Sequence, residues 1–600
     1  MSGQTPFTPD DPYFDPFEYE EGGDFYQAPG QWHLVNQFPI DGINEGYDAN
    51  LWGAWQQGWT GAGVTIGIID DGMQGNHPDL IDNFSNAYSW DFSMTSAENL
   101  ANNFRGTPDV GGVDVDSHGT SVGGVSAARG GNGVGGTGAA PYANLAALRF
   151  IVDEFADGKT DPEAHAAAIL YQGQTDELGN PDPYAAPDWS IVPVRVKNHS
   201  YGPDQGFVVE DQYELVVGAL EESASHGVIH VWSAGNERAD AGDPWPTADS
   251  NKILELTLPD SIVVGALAAS GTYSYYSSYG ANLTVTAPSS DLYFGIITTD
   301  RTGQSNGSNQ DPADPDVIFD FPDGYNYTSD FGGTSSSAPL VSGIMALGVE
   351  ANPSMNARMA KHLLARTSVK VDPDDSSDTG GWVTNGAGYS FNNNYGFGLI
   401  DAGAFTKAAS EVESMSVQTV YEGDDEIVGK SFADEGDDTI QETFDVVMDE
   451  SIVQPLEYVL IELFVVGLED DWNDYVAGEG TIVGDLSAIL TSPEGTTNQL
   501  FYNDRYIPEE EAEERRSWED DTLFWSFLSN AYWGENPVGQ WTLELINSTE
   551  NSLSGTWASF SFEAGMGTLT FVPEPSAFAL LLAIGLVPSL IRRRPRRDGF

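Results

Sequence analysis

The sequence predicts an α/β domain, a parallel sheet covered by helices, followed by an all-β domain of sandwich or jelly-roll type. Two observations carry this reading. Apolar runs (IGIID, NLAALRF, VPVRVKNHS, GVIHVWSAGN and SIVVGALA) alternate with helical stretches such as AHAAAILYQ and LVVGALEESASHG. Strands that are apolar throughout and separated by helices belong to a parallel sheet buried on both faces. After Ala409 the pattern changes to a charged linker and then to short strands with turn signals between them: YVLIELFVV, GDLSAILTSPEGTTNQLFY, VGQWTLELINS and GTWASFSFEA. The 600 residues are enough for two or three domains. The expected division is an acidic N-terminal extension (1–30), an α/β domain (31–410), a β-sandwich (411–568) and a tail (569–600). No internal repeat stands out.

Within this frame three residues stand in reactive contexts. Asp70, with Asp71 behind it, ends the strand VTIGIID; His118 lies in DSHGTSVGG; Ser335 lies in GGTSSSAP at an expected helix N-terminus. A nucleophilic serine needs a base within hydrogen-bond reach, and that base needs a carboxylate to fix its tautomer. Taken singly, the Asp reads as a turn or cap, the His as structural and the Ser-rich run as a loop. Gly119 and Gly333 flank the reactive positions, where backbone must turn tightly or pass close to substrate. A buried helix starting at Ser335 aims N–H groups at a developing oxyanion. The trio predicts serine hydrolysis, in the chain order Asp, His, Ser that subtilisin also uses. The GxSxG elbow of esterases is not matched.

Composition narrows the class further. Twenty-three Lys and Arg against 92 Asp and Glu give a formal net charge of −69, which opposes binding to nucleic acid or to anionic membranes. There is no cysteine, so neither disulfides nor thiolate metal sites contribute. An acidic chain of this kind attracts divalent cations.

These motifs resemble the subtilase superfamily, and within it the kexin-like, proprotein-convertase branch, over residues 24–410. IIDDGMQGNHPDL (68–80) is similar to that branch's catalytic-Asp segment, NGVGGTGAAPYANLAALR (132–149) to the strand after the His helix, and KNHSYGPDQG (197–206) to its substrate-binding strand. VWSAGNE (231–237) matches the segment bearing the oxyanion Asn, and WVTNGAGYSFNNNYGFGLIDAGA (382–404) closes the domain as in that branch. The resemblance implies Asp70, His118, Asn236 and Ser335 as catalytic residues, and Ser200, Tyr201, Gly202 and Asp204 in substrate binding, on proteins or peptides. Residues 415–568, through GDLSAILTSPEGT and NPVGQWTLELIN, resemble the accompanying P domain. There Trp533, Trp541 and Trp557 read as core and interface aromatics, and IPEEEAEERRSWEDD as an exposed helix.

The family also implies calcium. The resemblance carries over Asp79 and Asn132 as side-chain ligands and the carbonyls of Arg129, Val134 and Gly136, in a loop whose glycines let several carbonyls converge. The last ligand is an Asp before Trp32: Asp24 has the closest spacing, and Asp11 is the rival. Cleavage after basic residues is the favoured specificity, with Asp71 and Asp114 or Asp116 as acids for a second pocket. The family's acids are only partly present: Gln205 and the Ser of YYSSYGANL stand where acids are expected. Broad specificity, and an inactive surface binding or scaffold protein, are the alternatives.

The two ends differ. The first 25 residues have no basic and apolar signal-peptide pattern and read as a disordered or draped extension. At the other end VPEP, a 15-residue apolar run from Ala577 to Ile591 and five Arg within 592–597 resemble a PEP-CTERM sorting signal. That resemblance implies export to the cell surface or beyond, an exosortase-type processing partner and membrane attachment through the tail alone. The run is short of the ~20 residues that span a bilayer, and a plain tail anchor is the other reading.

Overall fold

The computed structural model describes residues 5–21, 24–36, 46–103, 105–106, 116–152, 155, 159–203, 206–207, 213–240, 248–303, 326–432, 438–469, 486–502, 522–547 and 554–572. Asp114, Asp204, the segment expected as an exposed helix (507–521) and the sorting motif (573–600) lie outside the described residues. Among the described residues no helix is long and apolar enough to cross a membrane.

A hairpin of β1 (Phe17–Glu21) and β2 (Asp24–Ala28) precedes the α/β domain. The domain is built on β3 (Thr65–Asp70), β4 (Trp90–Asp91), β5 (Asn144–Arg149), β6 (Val194–His199), β7 (Ile229–Ser233), β8 (Ser261–Leu267) and β9 (Val285–Pro288), all parallel in the order β4-β5-β3-β6-β7-β8-β9. Every residue of β3, β7, β8 and β9 is buried, which is why these strands read as continuous apolar runs. The register pairs Asp70 with Arg149 and Ile69 with His199. The ends of β3, β5 and β6 therefore lie side by side, and reactive groups of open α/β sheets gather at such carboxyl ends.

The first six of the eight α-helices among the described residues are α1 (Leu51–Gln56), α2 (Ser96–Ala101), α3 (His118–Ala127), α4 (Asp161–Leu170), α5 (Glu214–Ser225) and α6 (Thr334–Ala351). On one face of the sheet α3 and α6 pack together, with Val122, Val125, Leu340, Val341 and Ile344 in one apolar cluster. On the other face α4 and α5 bury Trp90, Trp232 and Tyr171. The N-terminal extension is draped and tied down. Phe7 sets its ring edge-on to Trp55 at 5.4 Å, Tyr13 does so to Tyr327 at 5.1 Å, and the Tyr13 N–H donates to the Gly135 carbonyl.

The second domain stacks a five-stranded and a four-stranded antiparallel sheet over a core holding Trp533, Trp541 and Trp557. That core continues into the first domain through Phe207, Phe391 and Phe397. Asparagines stitch the junction by reading backbone: Asn251 Nδ2 donates to the Leu500 and Leu528 carbonyls, Asn385 Nδ2 to those of Ala531 and Trp533, and Asn530 Nδ2 to those of Asn282 and Leu283. Buried amide N–H groups satisfied in this way fix the docking angle as well as adding stability.

Candidate active site

Asp70 is the last residue of β3 and is 1% exposed. Its carbonyl accepts from the N–H groups of Phe150 and Ile151, which ties the strand end to the turn after β5. His118 opens α3, and its Nδ1–H donates to Asp70 at 2.9 Å (Oδ1) and 3.1 Å (Oδ2). This bond leaves Nε2 as the ring's acceptor, as a general base requires. Burial disfavours the imidazolium, but the charge and hydrogen bond of Asp70, with the charge of Asp71, prevail and raise the His118 pKa.

Asp71 holds the helix that carries the base. Its Oδ2 accepts from the His118 N–H at 3.0 Å and its Oδ1 from the Gly119 N–H at 2.7 Å. A carboxylate at this position satisfies orphan donors and complements the helix dipole. Gly119 is required by close approach, since a Cβ there would lie 2.3 Å from the Gly72 carbonyl oxygen.

Ser335 lies in the first turn of α6, so its N–H has no intrahelical acceptor and faces outward. Its Oγ donates to the Ser200 carbonyl at 3.3 Å, and the Ser200 Oγ donates to the Ser335 carbonyl at 3.1 Å. No Ser335–His118 hydrogen bond forms among the described residues; such bonds are commonly long before substrate arrives and tighten in the complex. Asn236 follows β7 and is exposed. Its Oδ1 accepts from the Thr334 N–H at 2.8 Å and the Thr334 hydroxyl at 3.1 Å. An N–H can bond only to the amide oxygen, so the orientation is assigned and Nδ2 is the end left to donate.

Of the expected substrate-binding residues, Ser200, Tyr201 and Gly202 continue directly from β6. A Cβ on Gly202 would meet open space. Tyr201 turns its hydroxyl into the domain, between His165 Nε2 (2.7 Å) and His199 Nδ1 (2.9 Å). Asp71 is spent on α3, and Asp116 accepts from Arg149 Nη2 at 2.7 Å.

The expected calcium loop gathers a second cluster. Asp79 is fully buried and accepts from Asn132 Nδ2, the Gly136 N–H and the Tyr327 hydroxyl. Asp11 accepts from the N–H groups of Gly131, Asn132 and Gly133. Asp24 instead opens β2, paired opposite Glu21. The carboxylate from the leading segment that meets the loop is therefore Asp11. Asn132 Oδ1 accepts from the Val134 N–H, and the Arg129 N–H donates to the Asp79 carbonyl. Burial pushes the Asp79 carboxyl up to about 7, and the charge of Asp11 adds to this. Two buried carboxylates brought to one loop beside the Asn132 carboxamide offer oxygen ligands of the kind a hard divalent cation takes. Asp79, Asp11 and Asn132, with the carbonyls of Arg129, Val134 and Gly136, are the residues that would hold one.

Sequence reasoning missed two contributors, the Thr334 orientation of Asn236 and the Ser200 hydroxyl on the Ser335 carbonyl. For the second a signal exists. Pro339 stands four residues after Ser335 inside α6, and proline has no N–H to satisfy that carbonyl.

A carboxylate, imidazole and hydroxyl at the carboxyl edge of a helix-covered parallel sheet, with a β-sandwich behind, define the class of subtilisin-like serine peptidases. The family comparison agrees, with the subtilase family matched over residues 61–398 and the proprotein convertase P-domain over 476–564. The chain belongs to the subtilase family. It is 26% identical over 549 residues to Furin-1 of Xenopus laevis (90% of this chain, 59% of that one). To the dibasic-processing endoprotease of Schizosaccharomyces pombe it is 27% identical over 546 residues (88% and 64%). To human neuroendocrine convertase 2 it is 28% identical over 529 residues (86% and 70%). The chain thus spans less than two thirds of the first two. The crystal structure of the serine protease of Aeromonas sobria is similar at a TM-score of 0.68 and 25% identity, covering 89% of this chain and 94% of that one.

Proposed function

We propose that this chain is a calcium-dependent serine endopeptidase that hydrolyses peptide bonds in extended segments, exported to the cell surface or beyond. The observation that carries the reading is the bond from His118 Nδ1 to Asp70, with Ser335 and Asn236 brought to the same edge by Thr334. Ser335 Oγ attacks the scissile carbonyl while its proton passes to His118 Nε2, and Asp70 stabilises the imidazolium. The oxyanion is met by Asn236 Nδ2 and the Ser335 N–H. His118 then returns the proton to the leaving amine, the acyl-enzyme forms, and a water deprotonated by His118 releases the acid product. Calcium bound at the Asp79 loop would supply charge compensation that rigidifies the domain, away from the proton transfers.

Preference for basic residues is supported by the Schizosaccharomyces pombe relative, whose name states dibasic processing. A second reading, broad specificity, is favoured by the engagement of the described acids: Asp71 caps α3, Asp116 pairs with Arg149, and Asp249 accepts from the Tyr502 and Asn251 N–H groups. Arg515–Arg516 is the one adjacent basic pair outside the tail. A peptide of residues 508–520, beside a neutral Arg-Arg peptide, tests the choice. Cleavage after the second Arg, lost in Ser335→Ala, supports the basic preference. Survival of both peptides while denatured protein is cut after apolar residues leaves only the broad reading. Tail processing by an exosortase-type enzyme, with attachment through the tail alone, rests on the sorting-signal resemblance.

A further inference from the structure

We infer that Arg238 is the positioning residue of the oxyanion site, an anchor that sets where Asn236 presents its amide. The inference rests on the reading of Asn236 as the oxyanion donor and extends it to a residue two positions on.

Asn236 sits between two constraints. Thr334 holds its side chain from the α6 side. The backbone on either side of it is laced to residues 276–278: the Ser278 N–H donates to the Gly235 carbonyl at 3.0 Å, and the Arg238 N–H donates to the Tyr276 carbonyl at 3.2 Å. Gly235 has φ +109, and a Cβ there would run into Glu237 and the Ser278 hydroxyl, so the turn has no room to relax toward that wall. Glu237 is itself held there, accepting from Ser278 Oγ at 2.8 Å.

The Arg238 side chain closes this arrangement. Its Nε donates to the Ser277 carbonyl at 2.6 Å, its Nη1 to Thr379 Oγ1 at 3.2 Å and its Nη2 to Asn394 Oδ1 at 2.7 Å. The guanidinium lies between two rings, 4.2 Å from the Tyr273 centroid and 4.7 Å from that of Tyr279. Asn394 is fixed in turn, since its Nδ2 donates to Asp375 Oδ2 and Ser377 Oγ, and Thr379 Oγ1 donates to its Oδ1. One planar fork thereby ties the oxyanion turn to two separate loops. Its acceptors are neutral, and no described carboxylate pairs with it directly. Lysine has the charge without the fork and cannot make all three bonds at once.

The test is a double-mutant cycle in the full chain on a neutral peptide substrate. Arg238→Met keeps the stem between the tyrosines and removes the fork. A donor displaced by about 1 Å costs on the order of 10²-fold, so kcat should fall about 10–100-fold with KM unchanged within about twofold. In an Asn236→Ala background the same substitution should change kcat by less than about twofold, because residues acting as a unit are non-additive. Thr379→Val, which removes one anchor only, should follow the same pattern at smaller size and serves if Arg238→Met does not fold. An equal loss in both backgrounds, or a loss confined to KM, overturns the inference. If Asn236→Ala alone leaves kcat intact, the oxyanion reading falls first and the inference with it.

Discussion

Ser200 and Ser335 clasp each other through reciprocal hydrogen bonds, each hydroxyl donating to the other's backbone carbonyl at 3.1 and 3.3 Å. Pro339 explains half of the clasp, because it deprives the Ser335 carbonyl of its helical donor. The other half parks the nucleophile's hydroxyl on the edge of the substrate-binding segment. On the proposed function, substrate pairing with this edge would compete for the Ser200 carbonyl and free Ser335 Oγ to turn toward His118.

Ser200→Ala should therefore act on stability first. The half-buried Ser335 carbonyl loses its donor, at a cost of about 0.5–1.5 kcal/mol, read from the urea midpoint. A midpoint equal to that of the parent would show that the carbonyl finds another partner.

The pH profile should carry the mark of the paired carboxylates. Activity requires neutral His118, so kcat/KM rises with pH as the imidazole loses its proton. Asp70 and Asp71 raise its pKa above the ordinary 6.5, which moves the rising limb to the alkaline side of that value. Asp71→Asn removes one of the two charges and should shift the limb toward acid. A limb that stays put would remove Asp71 from the electrostatics of the base.

Glu457 is the charged anchor between the domains. It is buried and accepts from Arg358 Nε (2.8 Å), Arg358 Nη2 (2.6 Å), His362 Nε2 (2.7 Å) and Gln418 Nε2 (2.9 Å). Burial opposes its charge, but these bonds and the Arg358 charge prevail and hold it down at about 2, against an ordinary 4.5. A depressed carboxylate contributes stability that is present above pH 4.5 and is lost as pH falls toward 2. Glu457→Ala strands Arg358 and should cost about 3–5 kcal/mol, with both domains still melting in one calorimetric transition. Two separated transitions in the parent protein would contradict the shared core.

Calcium removal tests the loop of Asp79 and Asp11. A ligand bound only by the folded state stabilises it by about 2.7 kcal/mol at a hundred times its dissociation constant. Chelation should lower Tm, and Asp79→Ala and Asp11→Ala should each abolish most of that sensitivity, while Asp24→Ala should leave it intact. A melting curve indifferent to chelator and to added calcium would remove the site.

The parallel sheet and the places of Asp70, His118 and Ser335 in it were legible because their signals are local: a strand end, a His before Gly-Thr, a Ser at a helix start. Asp11 was legible only as the rival, because spacing along the chain favoured Asp24, and only the β1–β2 hairpin reveals that Asp24 is taken up in a strand pair. Phe7 and Tyr13 were the overlooked cues, since aromatics in an acidic segment have to be buried somewhere and these two bring Asp11 to the loop. The role of Asp71 was hidden for a related reason. A carboxylate after a strand looks the same in sequence whether it meets substrate or caps a helix 47 residues away. The asparagine stitching between the domains was equally silent, as an Asn that reads a distant backbone carries no local pattern.

The central claim, that Ser335 is a nucleophile activated by His118 and Asp70, is tested most directly by active-site labelling. Folded protein treated with a serine-directed sulfonyl or phosphonyl fluoride should gain one covalent adduct, mapped by mass spectrometry to Ser335. Peptidase activity should be lost in step with labelling. Ser335→Ala should keep the fold, take up no label and lose about 10⁶-fold in rate. Labelling at another residue, or a Ser335→Ala protein within tenfold of the parent's activity, would contradict it.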